Sequence, residues 1–130
     1  MKAKELFIKA TTAAASASAK ILLNASDFDG ACNRAYYAMF DAARGALLAS
    51  GEVDSVEHTK THSGLISVFS LKLVKTGQVS IEFGKALNRV EDLRLMGDYK
   101  GDLVAKEDAQ WAVAKASEFV EHLLGLFDKP

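Results

Sequence analysis

Residues 29–50, DGACNRAYYAMFDAARGALLAS, predict the helix around which the rest of the chain is organised. At 100° per residue, the side chains of this helix fall on three faces: one apolar, one polar and one made of small residues. The apolar face covers roughly a third of the circumference and is the face expected to lie against a core. It contains Cys32, Tyr36, Met39, Phe40, Ala43, Ala46 and Leu47.

The polar and small faces of this helix leave a question open. The polar side chains recur at spacings of four, four and three residues, which places them along one ridge of a helix. The small face either lets a second helix approach closely or forms a smooth surface toward solvent, and the pattern does not choose between them. The polar face consists of Asn33, Tyr37, Asp41 and Arg44, and the small face of Ala31, Ala35, Ala38, Ala42, Gly45 and Ala49.

Length and composition predict a single all-α domain over residues 1–130. A chain of 130 residues can bury about two thirds of its unfolded surface in one core. Proline occurs only at Pro130, so the helix formers that dominate the chain are not interrupted. Further helices are predicted at about 2–23, 61–75 and 80–96, with a fifth after a connector at 98–105. We therefore expect an up-and-down bundle of four to five helices.

The charge balance excludes a protein that is basic overall. Lysine and arginine total 16 against 17 aspartates and glutamates, a formal charge of −1, so only a local basic patch remains for nucleic acid. The single cysteine, Cys32, cannot form a disulfide within the chain, and its place on the apolar face predicts a buried thiol. We therefore expect a reducing, cytoplasmic setting.

The first twenty residues imitate a secretory signal, with early lysines and an Ala-Ser-Ala run. Glu5 and Lys9 interrupt the segment that a signal keeps free of charge for at least about seven residues. We therefore interpret this segment as a helix of the mature protein. No charge-free apolar stretch approaches the roughly 18 residues of a membrane span, so we expect no membrane segment.

Three stretches, taken in order, resemble the HEPN domain superfamily, in particular its small stand-alone bacterial and archaeal branch. They are FDGACNRAYYAMFDAARGALLASG at 28–51, THSGLISVF at 61–69, and RLMGDY at 94–99 followed by EDAQWAVAKASEFVEHL at 107–123. The resemblance extends from about residue 19 to 124. The order and spacing of the stretches make it specific.

The resemblance implies a four-to-five-helix bundle that forms a homodimer and is encoded beside a minimal nucleotidyltransferase, in a toxin–antitoxin-like module. Active relatives cut RNA with an arginine followed four to six residues later by a histidine. No histidine stands at those positions after Arg94. The chain carries Arg94-x-x-x-Asp98-Tyr99 instead, which resembles the variant of the stand-alone branch, so whether the protein is an enzyme stays open.

Arg94, Asp98 and Tyr99 form the first candidate site. Arg94 and Asp98 are four residues apart, so they can meet as an ion pair that ends a helix. Alternatively, Asp98 orients the Arg94 guanidinium toward a phosphate, whose oxygens suit the fork of its donors. Tyr99 would then stack on a base or hydrogen-bond a phosphate.

His62 opens the third predicted helix and is the second candidate. Its imidazole can act as an acid, a base or a phosphate ligand near neutral pH, or it can cap a helix or bond another helix. His58 precedes it by four residues, a spacing also used for zinc, but neither a third ligand nor a cysteine pair accompanies them. We expect no metal site and no cofactor.

The polar face of residues 29–50, together with Arg34, either lines the same cleft as Arg94 or holds the bundle together. Buried charges need partners, and the spacing of three between Asp41 and Arg44 suits an ion pair within the helix. The aromatic residues recur at helical spacing and are interpreted as core.

Three functions follow as hypotheses. The first is a dimeric nucleotide- or RNA-binding protein that works with a nucleotidyltransferase and uses Arg94, Asp98, Tyr99 and His62. The second is a metal-independent endoribonuclease toxin in which His62 replaces the missing histidine. The third is a non-catalytic structural interaction protein.

Overall fold

The computed structural model describes residues 2–11, 17–53, 61–99 and 103–128. Over these ranges the chain is helical and contains no strand, which confirms the predicted all-α class. Six helices are present in them: α1 Ala3–Thr11, α2 Ser18–Asn24, α3 Phe28–Ala49, α4 His62–Phe69, α5 Ile81–Tyr99 and α6 Lys106–Phe127. A π-helical segment, Ser70–Val74, continues α4.

The predicted boundaries agree with these helices except at two places. The first predicted helix, 2–23, corresponds to α1 and α2, and the intervening 12–16 lie outside the described residues. Helix α5 continues through Gly97 to Tyr99, three residues beyond the predicted end at residue 96. A Cβ atom at Gly97 would come within 3.1 Å of Asp29. The glycine therefore lets α5 lie directly against the start of α3.

Helix α3 is the central helix, and it contacts every other helix named above. The small face, left open by the sequence, is buried from Ala31 to Gly45, and only Ala49 at its end is exposed. The ring of Phe7 from α1 lies so close to Gly45 that a Cβ atom there would be 3.1 Å from it. The small residues therefore serve close helix packing, and solvent does not reach them.

Local side chains set the starts of two of the three helices that carry the site residues. Asp27 precedes α3 and accepts a hydrogen bond from the Gly30 amide at 2.9 Å. Thr61 precedes α4 and accepts one from the Gly64 amide at 3.0 Å. Each bond satisfies one of the amides that a helix start leaves without a partner. The cap at Thr61 fixes where α4 begins, and therefore where His62 stands.

The π-helical segment after α4 lies close to α5, whereas α4 itself leaves a groove beside α5. At the close end, Val74 of the π-helical segment lies where a Cβ atom on Gly84 would be 3.1 Å from it. The other end holds the beginning of α4 and the second half of α5.

No helix within the described ranges is both long and apolar enough to cross a membrane.

Candidate functional site

A groove of about 550 Å³ opens between α4 and α5. It brings together His62 and Arg94, the two candidate residues that the sequence placed on different helices. The remaining lining combines two apolar side chains with neutral polar groups and one carboxylate. The lining residues are His62, Ser63, Ile66, Ser67, Asn88, Glu91, Arg94 and Leu95.

Arg94 is a buried cation with two carboxylate partners. Its residue is only 2 % exposed. Its guanidinium donates to both oxygens of Glu91, through Nη2 to Oε1 and through Nε to Oε2 at 3.4 Å. Nη1 also donates to Asp98 Oδ2 at 3.3 Å, so the predicted Arg94–Asp98 ion pair is present. The guanidinium thus lines the groove with its charge already balanced.

Glu91 is the functional candidate that sequence reasoning missed. It is 8 % exposed, which is unusual for a glutamate. The available signal was its spacing of three from Arg94, which allows two side chains of a helix to meet. That spacing is common on exposed helix faces, so it did not single out Glu91 before its burial was known.

Two aromatic rings lie under the same guanidinium. The Arg94 Cζ atom is 5.0 Å from the ring centre of Tyr36 and 5.9 Å from that of Tyr37. Both distances are within the range of cation–π attraction. Arg94 is therefore held by the rings of α3 as well as by the carboxylates of its own helix.

His62 is held by two tyrosines of α3. Its Nδ1 atom lies 3.0 Å from the hydroxyl of Tyr36, and its Nε2 atom lies 3.4 Å from the hydroxyl of Tyr37. Its ring centre is 5.1 Å from that of Phe40. Burial, followed by the positive charge of Arg94, lowers the pKa of His62, while Glu91 opposes this shift. The imidazole is therefore neutral near pH 7.

Tyr36 is a polar member of what the sequence indicated to be a purely apolar face. It is fully buried. Burial, followed by a hydrogen bond to Glu91, raises the pKa of Tyr36 far above its usual value. The phenol therefore keeps its proton and can donate it to the Glu91 carboxylate. Tyr36 of α3 therefore lies against His62 of α4.

Asn33 extends this network at the other end. Its Nδ2 atom donates to Asp98 Oδ2 at 2.8 Å, the same oxygen that accepts from Arg94. The first half of the polar face of α3, with Asn33 and Tyr37, therefore lies against the site.

The second half of that polar face lies elsewhere. Asp41 is 8 % exposed and pairs with Lys9 of α1 at 4.0 Å and with Arg44 at 3.8 Å. Burial raises the pKa of Asp41, and Lys9 and then Arg44 oppose the rise. The Arg44 guanidinium also lies 5.3 Å from the ring centre of Phe40. These charges hold α1 against α3. This half of the polar face therefore holds the bundle together and does not line the cleft of Arg94.

The other candidate residues are placed as follows. Arg34 is exposed. Tyr99 is the last residue of α5, but its side chain lies outside the described part of the chain, as does the whole of His58. Among the residues that are described, no group of three or more histidine, cysteine, aspartate or glutamate side chains could hold a metal ion.

Comparison with known proteins gives a matching family model and several similar proteins. A family model for the HEPN domain matches residues 3–126. A UPF0332 protein of Gloeobacter violaceus is 38 % identical over 106 residues, 80 % of each chain. A UPF0332 protein of Thermotoga maritima is 38 % identical over 113 residues, 85 % of this chain and 80 % of the relative. A protein of Methanocaldococcus jannaschii named "Putative toxin MJ0605" is 31 % identical over 106 residues, 82 % and 75 % of the two chains.

Proposed function

Because this chain belongs to the HEPN domain family, we propose that it is a toxin-like HEPN protein that binds single-stranded RNA or a nucleotide in the α4–α5 groove. Two relatives in Methanocaldococcus jannaschii carry names that describe them as toxins. The observation that carries the proposal is the convergence of His62 and Arg94 on one groove from two helices. An imidazole and a guanidinium together can hold the sugar and the phosphate of a nucleotide.

The chemistry of the groove favours a nucleotide over a purely anionic ligand. Ile66 and Leu95 offer apolar surface for a base, and Asn88 offers an amide that can both donate and accept hydrogen bonds. Glu91 balances the Arg94 charge, so the site does not attract phosphate through net positive charge alone. A ligand that fills the groove must therefore use the apolar and neutral polar lining as well.

The test measures binding of a fluorescein-labelled single-stranded RNA, and of ATP, to the full chain. His62→Gln and Arg94→Lys each remove a lining group with little change in volume, and we expect each to weaken binding about tenfold. His122→Gln and Arg89→Lys are the matched controls, because these residues do not line the groove. Equal affinity in all four variants, or no binding by the wild-type protein, would refute the proposal.

A second candidate function is metal-independent RNA cleavage, favoured by the position of His62 beside Arg94. Neutral Nε2 would take the proton of a ribose 2′-hydroxyl, and the 2′-oxygen would attack the phosphorus. The resulting imidazolium, or water, would give a proton to the departing 5′-oxygen, so that the products are a 5′-hydroxyl and a 2′,3′-cyclic phosphate. Arg94 would stabilise the charge on the phosphorane oxygens.

The cleavage candidate is tested by incubating the protein with RNA in excess chelator and analysing the ends of the products. Cyclic phosphate and 5′-hydroxyl ends that disappear in His62→Gln, but persist in His122→Gln, support it. Intact RNA, together with unimpaired growth of cells that express the protein at a high level, would leave binding as the function.

We further propose that the protein acts as a homodimer and with a minimal nucleotidyltransferase. The resemblance to the stand-alone HEPN branch and the toxin names of the relatives support this partnership. Co-purification of the tagged protein with a minimal nucleotidyltransferase from the same genome tests it. Assembly without any binding of RNA or nucleotide would favour the non-catalytic interaction protein.

A further inference from the structure

We propose that Glu91 is a specificity-determining residue. Its carboxylate occupies the edge of Arg94 that would bind a phosphate, so that the α4–α5 groove prefers the phosphodiester of an RNA strand to the terminal phosphate of a free nucleotide. This selectivity rests on the proposed function and chooses between its two ligand classes. It follows from which donors of Arg94 are occupied and from the charge that results.

The first step concerns the donors of Arg94. One edge of a guanidinium presents Nε and Nη2, whose parallel N–H groups match two oxygens of a carboxylate or of a phosphate. Both bonds of this edge go to Glu91, from Nε to Oε2 at 3.4 Å and from Nη2 to Oε1. A phosphate that made the same pair of bonds would have to displace the Glu91 carboxylate.

The second step concerns the charge around this guanidinium. Nη1 donates to Asp98 Oδ2 at 3.3 Å, and Asn33 donates to the same oxygen at 2.8 Å, which holds the Asp98 carboxylate in place. Two carboxylates therefore lie against one guanidinium, with one negative charge in excess. His62 adds no charge near pH 7, because burial lowers its pKa.

The third step is that this excess charge is poorly screened. Arg94 is 2 % exposed and Glu91 8 %, and salt screens buried charges much less than exposed ones. Among the described residues that line the groove, Arg94 carries the only positive charge. The excess therefore acts on any phosphate that enters the groove.

The fourth step compares the two kinds of phosphate. A phosphate monoester carries about 1.5 to 2 negative charges at pH 7, whereas a diester carries a single one. Base and sugar can contact Ile66 and Leu95 in either ligand, so the charge of the phosphate decides between them. The groove should therefore favour a phosphate inside an RNA strand, which is a diester.

Two ligands of nearly equal size test this selectivity. They are adenosine 5′-monophosphate, a monoester, and its methyl ester, a diester. Each competes with fluorescein-labelled single-stranded RNA for the full chain near pH 7. We expect the methyl ester to bind about twofold to thirtyfold more tightly, the range for one charge about 8 Å from the excess charge at an effective dielectric constant of about 80 to 20.

Glu91→Gln removes the proposed cause with little change in size. It should tighten the binding of both ligands, and of the monoester more, so that the preference for the methyl ester falls at least about twofold. Glu82→Gln is the matched control, because it changes the net charge equally on the same helix. The Glu82 side chain is 83 % exposed, pairs with Lys85 at 4.0 Å and does not line the groove. This control should keep the wild-type preference.

Equal binding of the two ligands by the wild-type protein, or tighter binding of the monoester, would overturn the inference even if Glu91→Gln fails to fold. An unchanged preference in folded Glu91→Gln would do so as well, as would bound RNA that neither ligand displaces. Each of these results leaves the proposed function standing, because RNA still binds. Binding of ATP without RNA would also overturn only the inference, whereas binding of neither would refute both.

Discussion

Arg94 is a buried charged side chain whose charge is already paired within the protein. A ligand must therefore compete with those partners for it. Two carboxylates on its own helix and two aromatic rings from α3 surround it. Such an arrangement compensates for the loss of hydration only if every partner stays in place. A ligand phosphate in the groove would therefore share Arg94 with Glu91 or displace Glu91.

Removing this guanidinium should destabilise the fold strongly. We expect Arg94→Ala to lower the free energy of unfolding by about 3–5 kcal/mol, because it leaves the buried Glu91 carboxylate without its cation. Arg89→Ala is the matched control on the same helix, since Arg89 forms only an exposed ion pair with Asp108 at 3.7 Å. The control should lose about 1 kcal/mol or less. Urea denaturation measures both, and similar losses would contradict the assigned burial.

His62 should make stability depend on pH. The pKa of His62 in the folded protein lies below its ordinary value of 6.5, so the unfolded chain binds the proton more tightly. The free energy of unfolding should therefore decrease as pH falls below about 6.5. Above that pH, His62 should contribute no further change. His62→Gln should reduce the slope in denaturation curves at pH 5–7, with His122→Gln as the control. A full slope in His62→Gln would refute the prediction.

At the scale of the elements, α3 differs from an ordinary surface helix because its small face is covered too. Thirteen of its 22 residues are buried, so neighbouring helices enclose it on several sides. Alanine and glycine make this possible by letting helix backbones approach closely. The same packing brings Tyr36 and Tyr37 to α4 and Asn33 to α5.

Two glycine substitutions test this packing. Gly45→Ala should destabilise the protein, because a Cβ atom would lie 3.1 Å from the ring of Phe7, which is itself only 2 % exposed. Gly125→Ala on α6 has no atom within 4 Å of the added carbon, so it should stabilise by about 0.5–1 kcal/mol through helix propensity alone. Thermal unfolding of both variants decides. Stabilisation by Gly45→Ala would show that the α1–α3 contact is loose.

At the scale of the whole molecule, apolar side chains remain on the outside of a single chain. The largest exposed ones belong to five different helices or segments and to the connector before α6, and single apolar side chains distributed in this way are ordinary on a protein surface. They are Ile8, Ile21, Leu71, Ile81, Leu103 and Leu126.

The proposed homodimer is tested by sedimentation equilibrium. We expect a mass of twice the 14.0 kDa of one chain at micromolar concentration. Because the net charge is close to zero, repulsion between copies should be weak and the result should change little with salt. A monomer at high micromolar concentration would contradict the dimer and leave the groove of one protomer as the complete site.

The sequence by itself determined the helical class, most helix boundaries and the contacts between neighbours on one helix. Helical periodicity predicted the buried apolar face of α3, and spacings of three and four residues predicted the Asp41–Arg44 and Arg94–Asp98 pairs. These features are local, because side chains three or four residues apart on a helix meet whatever surrounds them. The burial of Cys32, at 0 % exposure, follows from the same periodicity.

Only the tertiary structure decided which helices those faces meet. The contacts of Tyr36 with His62 and of Asn33 with Asp98 span 26 and 65 residues, and periodicity carries no information about such distances. Packing also separated Asp41 from Arg94, although the sequence allowed both residues to line one cleft. It buried Glu91 beside Arg94, so that the arginine lines the groove with its charge balanced by carboxylates.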